Sequence, residues 1–280
     1  RGLGDVYKRQ LLNMANKLMG TQLDDDTMII GTSGRYEFKN KGINVYLEAL
    51  NRLTRDKNLK KDVLAFINVP GWVGEVREDL RKRLDSGKDY DTPLECPFIT
   101  HWLHNMSHDQ VLDMLKYLNM SNSVGTKVKV VFVPCYLDGK DGILNELYYD
   151  LLIGTDLSVY PSYYEPWGYT PLESIAFKVP TITTDLAGFG LWVNSLTGKN
   201  ATLQDGVKVI HRTDYNYSEV ADTIKDTISE FSSLTSTEIN KIRKNAANIA
   251  EKALWKHFIQ YYYEAYDIAL RNAAKRLSLN

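Results

Sequence analysis

Two hydrophobic rhythms alternate along the chain. Short apolar runs such as TMIIGTS (27–33), KDVLAFINVP (61–70) and TKVKVVFVPCYL (126–137) read as strands. A strand covered on both faces needs no polar alternation. Between these runs, apolar residues recur at i, i+3 and i+4 in QLLNMANKLM (10–19), INVYLEALNRLTR (43–55) and ILNELYYDLLIGT (143–155). That spacing marks one face of a helix. Further strands are expected at DLSVYPS (156–162), TITTD (181–185) and VKVIHR (207–212), with a helix from Pro171 and nearly continuous helix over 236–277. Residues 71–126 are polar, with helices expected near REDLRKRLD (77–85) and in DQVLDMLKYL (109–118). Strand and helix in alternation imply an α/β fold: a doubly wound parallel sheet covered on both faces. Such sheets bind ligands at the carboxyl ends of their strands. Two loops sit at such ends, after 27–33 and after 156–162.

The first ten residues, RGLGDVYKRQ, show no amphipathic register continuous with the helical stretch beyond them and are set aside as a non-native leader (1–10). Lys and Arg (34) nearly balance Asp and Glu (35), so no nucleic-acid footprint is expected. No apolar run is long enough for a membrane-spanning helix. The two cysteines, Cys96 and Cys135, have neither metal nor redox spacing, which fits a reducing, cytoplasmic compartment.

The loop after 27–33 is basic and carries Arg35 and Lys41. The turn after 156–162 carries Glu165 and, eight residues on, Glu173. Thr170, Pro171 and Glu173 have the spacing of a capping box, with Thr170 as N-cap, Pro171 at N1 and Glu173 at N3. The amides of Gly168, Tyr169 and Thr170 would then lie beside a helix N-terminus, where an anion is favoured. Glu165 has no capping partner; its alternative to a ligand role is a surface ion pair. His101, His104 and His108 would share a helix face, but no cysteine lies close to them in sequence, and no metal site is expected. Trp255, Phe258, Tyr262 and Tyr266 recur at helical spacing, the stripe by which a last helix packs.

The Glu-x7-Glu pair resembles that of retaining nucleotide-sugar glycosyltransferases of the GT-B fold. SGRYEFKNKG (33–42) and PSYYEPWGYTPLE (161–173) more specifically resemble the glycogen synthases of the animal and fungal type. Weaker likenesses are PFITHWLHN, VKVVFVPCYL, TTDLAGFG and WKHFIQYYYEAY, in the family's order. The resemblance implies two Rossmann-like domains with the active site between them. This chain would be the C-terminal, donor-binding half of a GT-B glycosyltransferase, with a long C-terminal helical segment. Residues 11–26 would be the exit helix or linker from a missing N-terminal domain, 27–235 the nucleotide-sugar-binding domain and 236–280 the helical segment.

The implied reaction is that of glycogen (starch) synthase. Glucose passes from UDP-glucose to the non-reducing 4-hydroxyl of an α-1,4-glucan with retention, without cofactor or metal. The fragment alone would be inactive. By resemblance, Glu165, Arg35 and Lys41 are catalytic, while Tyr136, Tyr148, Gly168, Tyr169, Thr170 and Glu173 bind the nucleotide sugar. Tyr136 and Tyr148 would flank the base, and Glu173 would take the ribose hydroxyls. UDP-glucose and a glucan acceptor are the expected partners, with no nucleic acid and no membrane. The family's oligomer contacts lie in a segment that is shorter here, over 71–126, so a homo-oligomer stays open. Asp156 stands where many relatives have a histidine, a departure that bears on the phosphate subsite. The helix before WKHF carries Arg243 with Lys241 and Lys244 and then Asn, Ala and Ile. The family's glucose 6-phosphate arginine cluster is thus incomplete. Other readings are an ADP-glucose-dependent transferase of the same fold and a non-catalytic glucan-binding scaffold.

Overall fold

A computed structural model of the protein describes residues 2–277. Residue 1 of the expected leader and residues 278–280 of the expected helical segment lie outside the described residues. Six strands form one parallel sheet: β1 (Met28–Ser33), β2 (Val63–Asn68), β5 (Val128–Val133), β6 (Leu157–Val159), β7 (Thr181–Thr184) and β8 (Val207–Ile210). Their order is β5-β2-β1-β6-β7-β8. The chain therefore builds outward from β1 in one direction and returns to build outward from β6 in the other. The place where β1 meets β6 is the topological switch point, where a crevice opens at the strands' carboxyl ends.

Successive residues of the central strands serve opposite layers, as a two-sided sheet requires. Ile30, Val63, Ala65 and Ile67 pack with Val45, Leu50 and Ile224 on one face. Ile29, Leu64 and Phe66 pack with Leu11, Leu18 and Leu151 on the other. Burying each of the Val, Leu, Ile and Phe side chains among these stabilises the fold by about 1.5–3 kcal/mol. Helices α2 (Ile43–Leu53) and α8 (Tyr217–Ser232) thus cover one face, and α1 (Leu3–Met19) and α5 (Tyr148–Leu152) the other. A third cluster joins α6 (Tyr169–Ala176), α7 (Gly188–Thr197) and α9 (Ser236–Lys252) through Ile175, Phe189, Val193, Ala246 and Ile249.

Several elements depart from the sequence reading. Helix α1 starts at Leu3, so the change of pattern near Gln10 marks a loss of burial and not a break in the helix. Leu3 and Val6 are exposed, whereas Leu11, Leu12, Met14 and Leu18 are buried. Helix α5 starts at Tyr148, five residues later than expected, because the Asp141 carboxylate accepts the amides of Ile143, Leu144 and Asn145 and holds them in a loop. His101 lies on a strand, β4 (His101–Leu103), antiparallel to β3 (Val73–Val76), so the three histidines share no helix face. The polar segment adds α3 (Glu78–Ser86) and α4 (Gln110–Tyr117), both as expected.

Asp156 accepts the amide of Ile29 at 2.9 Å and ion pairs with Lys8 and Arg243. That is the amino-terminal end of β1 and β6, opposite the loops that carry Arg35 and Glu165. Asp156 therefore does not bear on a phosphate subsite there. The last helix, α10 (Trp255–Leu277), has no buried residue. Of its expected stripe, Phe258 meets Trp167 and Trp192, with ring centroids 5.6 and 5.4 Å away. Trp255 and Tyr262 contact each other at 5.1 Å but stay exposed.

Candidate active site

The loops after β1 and β6 are joined at the switch point. The amide of Tyr163 donates to the carbonyl of Asn40 at 2.7 Å. Gly42 caps α2 with φ 72°, and a Cβ there would lie 2.0 Å from the Pro161 carbonyl oxygen. Only glycine permits both that backbone and that approach. The neighbouring Lys41 is thereby set against the second loop, and its ammonium donates to Glu165 Oε2. Both side chains are largely shielded, at 12% and 17% exposure.

Glu165 is held by its backbone as well. Its amide donates to Leu186 O at 3.2 Å, and its carbonyl accepts from Gly188 at 3.0 Å. The turn between β7 and α7 thus fixes the carboxylate from behind. Arg212, which the sequence reading missed, is buried just after β8 and donates to the Pro161 carbonyl. Its guanidinium lies over the Tyr163 ring at 5.4 Å from the centroid. Its only sequence signal is a charged residue closing an apolar strand.

Helix α6 begins at Tyr169, with Gly168 as N-cap at φ 114° and no side-chain cap. The expected capping box does not form: Thr170 and Pro171 fall inside the first turn, and Glu173 is not turned back to close it. The structural reason lies in Gly168, which takes a backbone conformation open to glycine and so starts the helix two residues early. Glu173 lines a cleft with Tyr149. Burial and the neighbouring Glu173 carboxylate both raise the Tyr149 pKa above its ordinary value.

This cleft, of about 540 Å³, is lined by Arg35, Tyr136, Tyr148, Tyr149, Thr170 and Glu173 among others. Arg35 is 77% exposed and pairs with Glu37 at 3.0 Å. Tyr136 is exposed, while Tyr148 turns its hydroxyl inward to within 2.6 Å of Ser33 Oγ. Burial holds the Tyr148 phenol well above its ordinary pKa, so it stays protonated. Lys41, Glu165, Gly168 and Tyr169 do not line this cleft. They belong to an adjoining group. An ideal Cβ on Gly168 would lie 3.7 Å from Glu165 Cγ, and Thr170, two residues on, reaches the cleft. The start of α6 therefore links the two groups. Arg35, the first-turn amides and Lys41 can hold an anion there, and Glu173 can accept from hydroxyl groups.

Among the described residues, His101, Cys135 and Asp141 bring ligand atoms within 4.8 Å of one another. Two of the three already have partners. His101 contacts the Asp141 carbonyl at 2.7 Å and Thr100 Oγ1 at 2.9 Å. The Asp141 carboxylate is the one that holds the loop before α5.

A family profile described as Glycogen synthase matches residues 76–277. Glycogen [starch] synthase isoform 2 of Saccharomyces cerevisiae is 28% identical over 88% of this chain and 43% of its own length. Glycogen [starch] synthase of Neurospora crassa is 27% identical over 89% of this chain and 42% of its own. The chain thus spans less than half the length of these relatives. WaaG, a glycosyltransferase involved in lipopolysaccharide biosynthesis, superposes with a TM-score of 0.48 at 14% identity, over 90% of this chain and 47% of WaaG. The family match runs from the last residue of β3 through α10 and takes in both carboxylates of the site. The chain belongs to the glycogen synthase family.

Proposed function

We propose that this chain is the donor-binding, C-terminal half of a GT-B glycogen synthase that uses UDP-glucose and retains configuration at the anomeric carbon. The observation that carries the reading is the Lys41–Glu165 pair, set beside the start of α6 at the sheet's switch point. When the anomeric bond breaks, negative charge grows on the diphosphate and positive charge on the sugar. Groups that meet those charges stabilise the transition state more than the bound substrate. Arg35 and the amides of Gly168, Tyr169 and Thr170 take the diphosphate. Lys41 gives one N–H to Glu165 and keeps two for phosphate oxygens. Glu165 bonds the hydroxyls of the donor glucose and stabilises the developing cation.

Glu173 takes the ribose hydroxyls, and Tyr136 and Tyr148 flank the base. Ring faces accept any base, so these tyrosines supply affinity rather than selectivity. The acceptor glucan and further catalytic groups belong to an N-terminal domain. The protein acts in the cytoplasm.

The test uses two proteins. Calorimetry on the 280-residue chain yields UDP binding, and incubation with UDP-glucose and glucan yields no elongation. The full-length enzyme elongates the glucan with retention. Failure of the chain to bind UDP, or preferential binding of ADP, would overturn the donor assignment. Steady elongation by the chain alone would overturn the two-domain reading.

A further inference from the structure

Beneath the cleft lies a closed set of four hydroxyl groups from four different elements. Tyr160, the residue after β6, is 4% exposed and does not line the cleft. Its hydroxyl lies 2.8 Å from Ser174 Oγ in α6, 3.3 Å from Ser33 Oγ at the end of β1, and 3.3 Å from the hydroxyl of Tyr148 at the start of α5. Ser33 and Tyr148 complete the set at 2.6 Å. The Tyr160 backbone is itself fixed, its amide donating to Ile182 O at 2.8 Å.

Burying four hydroxyls gains little stability over an apolar filling, because each must first give up water. What such a network adds is orientation. Every partner must sit where its hydroxyl can donate or accept, so the set admits one arrangement of the elements that carry it. Three of those elements reach the cleft. Ser33 and Tyr148 line it directly, and Ser174 follows Glu173, which also lines it. Tyr160 joins them from below without touching the space a ligand would fill.

We infer that Tyr160 is a positioning residue that ties the Tyr148 ring to helix α6 and so fixes the spacing between the base subsite and the ribose-diphosphate subsite. The inference rests on the base and ribose roles proposed above for Tyr148 and Glu173. A ligand that spans both subsites needs the tie. A ligand that occupies only the anion subsite does not.

The test measures binding of UDP and of inorganic diphosphate to the 280-residue chain and its Y160F, S174A and Y160F/S174A variants. The expected result is a UDP affinity about tenfold weaker in S174A, the weight of one lost hydrogen bond, and at least as weak in Y160F, which also loses the contacts to Ser33 and Tyr148. The double variant binds UDP no worse than Y160F, because removing the Tyr160 hydroxyl already deletes the bond that S174A deletes. Diphosphate binds all four proteins equally. Unchanged UDP affinity in the single variants overturns the inference. So does an equal loss for diphosphate, which would mark a general loss of structure, or an additive double variant. Should Y160F not fold, S174A removes the same bond by deleting one oxygen and carries the test. Failure of the wild-type chain to bind UDP, with diphosphate bound, overturns the nucleotide reading itself. Wild-type UDP binding with unaffected variants overturns only the tie.

Discussion

The ammonium of Lys41 donates to the carboxylate of Glu165, across 124 positions of sequence, and so joins the loop after β1 to the loop after β6. Neither group is left to solvent, and each orients the other. Losing one leaves a shielded charge without its partner, which costs more than an exposed pair would.

In the full-length enzyme, Lys41→Ala and Arg35→Ala are expected to lower kcat by on the order of 100-fold or more each, with much smaller changes in donor affinity. The reason is that diphosphate charge develops in the transition state. Glu165→Gln keeps the shape, loses the charge, and should nearly abolish transfer while the chain stays folded. Steady-state kinetics with calorimetric donor binding checks all three. An unchanged kcat in the first two would remove them from the site.

Gly42→Ala should be among the most damaging single-methyl changes in the chain. The added Cβ meets the Pro161 carbonyl at 2.0 Å, in a backbone with φ 72°. Left-handed backbone costs about 1–2 kcal/mol for a non-glycine residue. Overpacking adds about 1–3 kcal/mol. Chemical denaturation of the variant should show a loss on the order of 2–5 kcal/mol. Transfer by the full-length variant should fall as well, because Lys41 moves with the loop.

Thr170→Ala separates the two roles that the sequence offers for this threonine. Loss of an N-cap side chain costs about 1 kcal/mol. The structure gives α6 no side-chain cap, so the variant should unfold within about 0.5 kcal/mol of the wild type. Its effect is expected in weaker UDP binding, from a change in the cleft wall. A stability loss of the full cap value, with binding intact, would restore the capping box.

Cys135 and Cys96 should differ sharply toward thiol reagents. Burial raises the Cys135 pKa from 9.0 to about 12, so at pH 8 roughly one molecule in ten thousand carries its thiolate. Cys96 is exposed. One cysteine should label in native protein, and Cys96→Ala should abolish that labelling. The folded state keeps the Cys135 proton that the unfolded state releases at lower pH. Stability should therefore fall as pH rises from about 9 toward about 12, less steeply in Cys135→Ala.

Arg243 is already engaged by Asp156 at 3.2 Å, beside Lys8 at 3.0 Å on the same carboxylate. A dianionic phosphate needs several guanidinium groups on one face, and after Arg243 and Lys244 this helix continues with Asn245, Ala246, Ala247, Asn248 and Ile249. The full-length enzyme should run at the same rate with and without millimolar glucose 6-phosphate at sub-saturating UDP-glucose. A several-fold activation would contradict this.

The central strands and α2 are legible in the sequence because unbroken apolar runs and a 3.6-residue stripe leave few alternatives. Helix α7 is not, since Gly188 and Gly190 in its first turn argue against a helix. Helix α8 does carry a readable stripe of Val220, Ile224, Ile228 and Phe231, diluted by Ser and Thr of weak helix propensity. The strings around Arg35 and Glu165 point to their loops, but not to which groups touch. Lys41 and Glu165 meet because Gly42 and Pro161 pack closely, and the Tyr160 hydroxyl meets Ser174 because β6 and α6 do. Such contacts depend on backbone approach, which a linear pattern does not record. The strand at His101 is hidden because three histidines at helical spacing imitate a helix face.

Helix α10 runs 23 residues without burying one of them. Helix formation in water is only marginally favourable without a packed face. Its backbone amides beyond Phe258 should therefore exchange with deuterium quickly. Helix α9 is closed at its start by the Thr235–Glu238 capping box and anchored by Ile242, Ala246 and Ile249, and it should exchange only as the sheet unfolds. Two cooperative units of unequal stability are thus expected, with the boundary at Phe258, where α10 leaves its contact with Trp167 and Trp192.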